Sequence, residues 1–419
     1  MGIVRNSHRR TRIARALSRI PLYIARVFPG AAGRARTLPA GTALHVRLLD
    51  MVGSDPTMRG RPVRALVIAP APGDTTVIVA PGAVVRGTIV DAGAESDGPR
   101  RQLIALRFTE VVLPDGRTAP ISAQVSGVDN ARETVDAAGR VLGLPMPGRL
   151  ESMVDWALLA LGTVHPVAAA ALFIADHGEE HEQHRPIVFP PGVELTLRTT
   201  ADARVPVSPW RPPLAVDSPA RLDALIHDLP PRAFARGGRI AGDLVNLVLI
   251  GEPADIHAAF LAAGWDTPER LSVRTCFDTF VAMVEARDYA HQPVSQLLLD
   301  GRPPDLVFQK LTDTFAKRHH VRIWRSDVAW AGHPVFAAAA THDVGIELST
   351  EEHTCTHRTD PAIDLERDKI VDDLVTANAV AALSLVPRTP IAGTTVTGGQ
   401  ATVLTDWRVA VIALGAVRQ

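Results

Sequence analysis

The chain has 419 residues, 46% of them hydrophobic, with 44 Lys and Arg against 45 Asp and Glu. That length exceeds one ordinary core and predicts two or three domains, and a net charge of −1 excludes a global electrostatic pull toward nucleic acid or membrane. Two cysteines, Cys276 and Cys355, lack CxxC spacing, which excludes a zinc knuckle or thioredoxin-type motif, and they read as independent thiols.

Charge is unevenly placed. Residues 1–37 hold nine arginines and no acid, with Ile13, Leu17, Ile20 and Ile24 near helical spacing. The segment reads as a flexible basic arm, the other reading being an amphipathic helix lying on an anionic membrane. Its apolar run from Ile20 to Phe28 is broken by Arg26 and is too short to span a bilayer.

From Leu38 the period becomes two. Leu44, Val46 and Leu48 alternate with His45 and Arg47, and further strands are predicted at Val63–Ile68, Thr75–Val79, Val84–Val90, Ile104–Phe108, Ala119–Val125 and Val193–Arg198. Turn phrases such as Ala80-Pro81-Gly82, Pro114-Asp115-Gly116 and Pro190-Pro191-Gly192 punctuate them. Short strands with such punctuation predict a closed antiparallel barrel or sandwich. Before the last strand the pattern turns helical. Ala131–Leu142 is predicted as one helix, and Ser152–Ala175 is apolar over about a bilayer's length but is interrupted by Asp155, His165 and Pro166. A two-helix excursion from the barrel, over about residues 131–175, is the expectation. The following run, with His177, His181 and His184, only superficially approaches HExxH and reads as a solvated linker.

The phrases LPAGTALHVRLLD, VAPGAVVRGTIVDA, LIALRFTEVVLPDGRTAPIS and FPPGVELTLRTT, across residues 38–200, resemble the C-terminal β-barrel of TrbI-type conjugation and type IV secretion proteins. That resemblance implies a barrel whose helical pair projects toward the outer membrane.

Residues 201–240 are rich in proline, carry Gly237-Gly238 and read as a linker with one short helix at Arg221–His227. From residue 241 the chain alternates α and β. Strands are predicted at Leu244–Ile250, Leu297–Leu299, Leu306–Gln309, His320–Trp324, Val335–Ala340 and Arg408–Leu414, and helices at Pro253–Ala263, Ser272–Arg287 and Asp360–Thr376. The fold class expected is therefore multi-domain, an N-terminal antiparallel β-barrel with a two-helix excursion and a C-terminal α/β (α+β) sandwich domain over 241–419. The phrases NLVLIGEPADIHAAFLAAGWDTPERL, KRHHVRIW, AAAATHDVGIEL and THRTDPAIDLERDKIVDDL resemble the LssY C-terminal domain family over about residues 242–385. The resemblance implies a bacterial cell-envelope setting, with membrane association and the periplasmic side favoured, and brings no established activity.

The last of those phrases is the densest polar stretch. Asp360 is placed as a helix N-cap with Pro361 at the first helical position, and Asp364, Arg367, Asp368 and Val371 share a face. Upstream, alternation on the strand sets His320, Arg322 and Trp324 toward a cleft or solvent, and His319, Val321 and Ile323 toward a core. Likewise His342, Val344 and Ile346 share one face, and Thr341 and Asp343 the other.

Besides a binding site for an anionic group without catalysis, two readings of this polar centre stand. In one, a divalent metal is held by His320 (or His319), His342, His357 and Asp360, with Asp343 or Asp364 as base and with Arg322 and Arg367 binding a phosphate or carboxylate. That chemistry would suit a metal-dependent hydrolase acting on phosphoester or lipid-related substrates. In the other, His342–Asp343 and Arg367–Asp364/Asp368 form a buried network that locks the helix onto the sheet. No GxSxG or strand-linked GxGxxG is present, so neither a serine triad nor a dinucleotide site is expected. The partners expected are a membrane surface or envelope proteins, with no nucleic acid, and the role expected is a secretion-associated module acting by binding or docking.

Overall fold

The computed structural model describes residues 35–72, 77–95, 101–129, 133–143, 186–207, 213–235, 241–267, 297–310, 317–349, 354–391 and 402–415. Most of the arginine arm, the apolar 152–175 stretch, the predicted Ser272–Arg287 helix and Cys276 lie outside them. The described residues are mostly β and divide into two compact units, one ending by Pro209 and the other beginning at Trp210.

The first unit is a closed antiparallel barrel. Its six strands are β1 (Ala43–Leu48), β2 (Pro62–Val67), β3 (Val84–Ala94), β4 (Gln102–Val112), β5 (Thr118–Val128) and β6 (Glu194–Thr199). They pair in the order β4-β3-β2-β1-β6-β5, and β5 pairs back onto β4, which leaves no open edge in the ring. The alternation read from the sequence is the physical cause. Leu44, Val46 and Leu48 point inward with Ala65, Val67, Val85, Leu106, Phe108, Val125 and Leu197 to form one core. Opposite Arg47 in the ladder sits Glu194, and the two form an ion pair at 2.9 Å.

Closure requires one tight approach. A Cβ placed on Gly87 of β3 would lie 2.1 Å from the Arg107 carbonyl oxygen of β4, where the register between the two strands shifts. Only glycine admits that backbone contact.

The helix predicted over Ala131–Leu142 is not formed. Thr134–Val135 and Arg140–Leu142 pair as a hairpin, and Arg140–Leu142 continues onto β4. The Asp136 carboxylate accepts hydrogen bonds from the amides of Ala138 and Arg140, and Gly139 takes φ +78°. The Asp-Ala-Ala-Gly sequence is thus turn chemistry, and the local Asp136 bonds outweigh the helix preference of the two alanines. The two-helix excursion therefore does not begin at 131, and its apolar part lies outside the described residues.

The second unit is built on an eight-stranded mixed sheet. Its elements in chain order are α1 (Pro219–His227), β7 (Arg232–Ala235), β8 (Ala241–Leu244), β9 (Leu247–Ile250), α2 (Pro253–Ala262), β10 (Trp265–Asp266), β11 (Leu297–Leu298) and β12 (Leu306–Lys310). They continue with β13 (Lys317–Trp330), β14 (His333–Ser349), β15 (Thr354–Thr359), α3 (Ile363–Thr376), β16 (Val380–Pro387) and β17 (Arg408–Leu414). The large sheet runs β10-β12-β13-β14-β9-β17-β16, with β15 added to the far end of β14, and only β9 and β17 pair in parallel. Strands β8-β7-β11 make a separate small sheet.

Both faces of the large sheet are covered. On one, Leu247, Leu249, Val321, Ile323, Ala338 and Ala340 pack with Ile256 and Phe260 of α2 and with Ile370, Val371 and Leu374 of α3. On the other, Val248, Ile250 and Val411 pack with Leu222, Leu225 and Ile226 of α1, while Trp324, Ala337 and Ala339 meet Ala233 and Leu297 of the small sheet. The stretch read as a linker thus supplies α1 and β7 to this unit, and Ala203–Pro206 pairs with Ala35–Leu38 in the other.

Candidate functional site

The polar residues concentrate at one end of the β13–β14 ladder, where Arg318 opposes Asp343, His319 opposes His342, and His320 opposes Thr341. Directly opposed residues share a face. His319 and His342 therefore lie on the α2/α3 face, and Arg318, His320, Thr341 and Asp343 on the face of the small sheet.

On the small-sheet face the groups close on one another. Arg318 pairs with Asp343 at 3.1 Å, His320 Nδ1 lies 3.7 Å from Asp343, and His320 Nε2 meets Thr341 Oγ1 at 2.8 Å. Arg322 forms a short ion pair with Asp243 of β8. The alternation argument placed His320, Arg322 and Trp324 together correctly, but not toward solvent. They are 3%, 3% and 2% exposed, because the β8-β7-β11 sheet covers them. Burial pushes the Asp343 carboxyl above its ordinary range, against the pull of Arg318 and Arg322. Arg322 is pushed down by the same burial, with Asp243 and Asp343 opposing.

The α3 segment has a different centre. Arg367 is fully buried, and its guanidinium donates to Asp368, Asp364 and Asp406 and to the Arg408 carbonyl. Burial works against its charge, but the three carboxylates outweigh it and raise the pKa. Asp364 also accepts from Thr405 Oγ1 at 2.9 Å and from the Asp406 amide at 2.6 Å. Burial raises its pKa to about 6, with Arg367 opposing and Asp406 reinforcing. Further along, Asp373 takes Lys310 Nζ at 2.8 Å and the Trp265 indole N–H at 2.9 Å. The helix is buried on nearly every side, and each of these charges is met by a partner.

Asp360 does not cap the helix. The helix starts at Ile363, and the Asp360 carboxylate instead accepts from the Ala362 amide at 2.9 Å, which makes an Asx turn before Pro361 can enter the helix. The Asp360 amide donates to the His342 carbonyl at 2.8 Å and so ties the turn to β14.

The metal set read from sequence is not brought to one point. His320 and His342 project from opposite faces of the sheet, because residues one apart on paired strands alternate. The same geometry separates His342 from Asp343, so that half of the predicted locking network does not form; the Arg367–Asp364/Asp368 half does. His357 pairs with Ile346 in the β14–β15 ladder, and its side chain lies outside the described residues. Of the two expected anion binders, Arg322 is engaged by Asp243 and Arg367 by three carboxylates.

His319, the alternative to His320 in that set, does meet His342. His319 and His342 stack with ring centroids 4.1 Å apart and planes 16° apart. His319 Nδ1 meets the Glu366 carboxylate of α3 at 2.6 Å. An ionised carboxylate only accepts, so Nδ1 carries the proton. Two imidazolium charges at the 4.1 Å separation would repel by roughly 4 kcal/mol at an effective dielectric of about 20, so the stack favours at least one neutral ring. Glu366 escaped sequence reading because it lies off the face shared by Asp364, Arg367, Asp368 and Val371. Its signal was positional, since Glu366, Ile370 and Leu374 are spaced to face the sheet.

With this geometry in place, the family comparison falls on the same unit. Residues 229–408 match the family model described as LssY C-terminus. The match runs from just before β7 to the first residue of β17 and takes in every polar group of this unit described above. No curated protein matches the chain. Among solved structures, ComB10 of the Com type IV secretion system of Helicobacter pylori aligns at 13% identity with a TM-score of 0.24, covering 42% of this chain and 95% of that one. At that score the likeness says nothing of fold or role. Among the described residues, no helix is long and apolar enough to cross a membrane.

Proposed function

We propose that this is a bacterial cell-envelope protein, associated with the membrane and with secretion, whose units act by binding and docking rather than by turnover. The observation that carries the reading is the consumption of the chemistry-bearing groups within the fold. Asp343 is held by Arg318, Arg322 holds Asp243, and Arg367 is surrounded by Asp364, Asp368 and Asp406. Charged groups so paired and buried lock layers together and offer little to a substrate. The LssY C-terminus match over residues 229–408 supports the envelope setting. The arginine-rich residues 1–37 and the apolar 152–175 stretch, inserted between the Arg140–Leu142 strand and β6, supply the sequence features that would meet a membrane.

Fractionation of cells expressing the full chain tests this. The expected result is recovery with membranes, with release by detergent or by high salt. Recovery entirely in the soluble fraction at low salt, with residues 1–37 intact, would overturn it. The hydrolase reading is the weaker of the two, since the sheet stands between His320 and His342, and Asp360, another of its ligands, holds the Ala362 amide.

A further inference from the structure

From the stacked imidazoles we infer a binding site for a divalent transition ion on the α2/α3 face, with His319 and His342 as ligands and Glu366 as the residue that orients His319. Three observations carry it. The two histidines face each other across one rung of the β13–β14 ladder, so the backbone fixes both Cβ positions before any ion arrives. Their rings are nearly parallel at 4.1 Å, and their ligand nitrogens lie within 4.8 Å of one another, so one ion with metal–nitrogen bonds near 2.0–2.1 Å takes both once the rings swing out of the stack and their lone pairs converge. Glu366, 2% exposed, accepts a hydrogen bond from the His319 Nδ1–H, which puts that ring's lone pair on Nε2. That carboxylate–histidine arrangement fixes the tautomer a metal requires and raises the basicity of the ligand nitrogen.

The donor set selects the ion. Imidazole nitrogens favour Zn²⁺, Co²⁺, Ni²⁺ or Cu²⁺ over Mg²⁺ or Ca²⁺, which prefer oxygen. His319 is buried, while His342 is only half-buried and gives the ion a route from solvent.

The test is Ni²⁺ or Zn²⁺ titration of the full chain by calorimetry, alongside the Cu²⁺ electron paramagnetic resonance spectrum. Wild-type protein is expected to bind about one ion in this site, with two imidazole nitrogens in the copper spectrum. His342→Ala should abolish this binding, and Glu366→Gln, which keeps a hydrogen-bond acceptor, should weaken it about 10–100-fold. His320→Ala, on the opposite face, should leave it unchanged. The chain has other histidines, so a His177→Ala/His181→Ala/His184→Ala variant serves as the control. Binding that disappears in that variant but survives His342→Ala would overturn the proposal. A copper spectrum of the unaltered chain without two coordinated nitrogens would overturn it as well, whether or not the variants fold.

Discussion

The side chain of Asn246 hydrogen-bonds both backbone groups of Ala340: Nδ2 donates to its carbonyl at 3.0 Å, and Oδ1 accepts from its amide at 2.9 Å. Asn246 immediately precedes β9, whose first rung on β14 is Leu247 opposite Ala338, and it fills the gap along β14 before the Thr359 rung of β15 opposite Asp343. It is 3% exposed, and its amide reaches the Ile363 carbonyl at the start of α3 as well. Asn246→Ala would leave a buried amide and carbonyl without partners, at about 1–3 kcal/mol each. Faster hydrogen exchange at the Ala340 amide, with a lower denaturation midpoint for the second unit, is expected. Unchanged protection at Ala340 would count against this role.

Arg367 predicts a larger effect. Removing it leaves Asp364, Asp368 and Asp406 clustered with no cation among them, and breaking a buried pair of this kind costs about 3–5 kcal/mol. Arg367→Ala should unfold or severely destabilise the second unit in thermal or chemical denaturation, and Asp406→Asn should recover part of the loss in the double variant. Independent, additive effects of the two changes would show that the cluster is not coupled.

The same cluster gives a pH dependence with a definite sign. The folded-state pKa of Asp364 is raised from 3.8 to about 6. Between those values the folded chain binds more protons than the unfolded one, so this group's contribution to stability falls as pH rises through the window. Asp343 is shifted in the same direction by its burial. Over the roughly two units involved, the effect of Asp364 is up to about 3 kcal/mol. Urea denaturation at stepped pH should show stability declining from about pH 4 toward pH 7, set against the ordinary loss from other carboxylates in acid. Asp364→Asn should flatten that component, and an identical slope in the variant would remove Asp364 as its source.

In the barrel, Gly87→Ala puts a methyl group 2.1 Å from the Arg107 carbonyl. The obstacle is backbone, so side-chain rotation cannot relieve it, and overpacking of this kind costs about 1–3 kcal/mol or more. A lowered melting temperature for the barrel, with exchange rising along β3 and β4, is the expected readout. Gly41→Ala is the useful contrast, because no heavy atom lies within 4 Å of its added carbon, so only its φ of +83° is strained.

Much of this protein was legible as a pattern. Leu44, Val46 and Leu48 alternate, and so do the other barrel strands, because a half-buried strand must present every second side chain to the core. The same logic placed His319 with Val321 and Ile323, and His320 with Arg322 and Trp324. It failed at Asp136-Ala137-Ala138-Gly139, where apolar spacing suggested a helix and the side-chain bonds of Asp136 made a turn. It failed again at Asp360, whose carboxylate closed an Asx turn two residues before the helix.

What the sequence determined by itself is local: period, turn chemistry, and which neighbours on a strand share a face. These follow from backbone geometry over a few residues. Tertiary structure alone decided that the second face of the sheet is covered, by a helix and a small sheet, the helix and one of the strands coming from a stretch that reads as a linker. That covering turns Arg322 and Asp343 from cleft residues into an interior network. It also decided the partners of Arg367, since Thr405 and Asp406 are nearly forty positions away, and it set His342 beside His319 rather than His320. Long-range pairing fixes which charges meet, and no local periodicity contains that information.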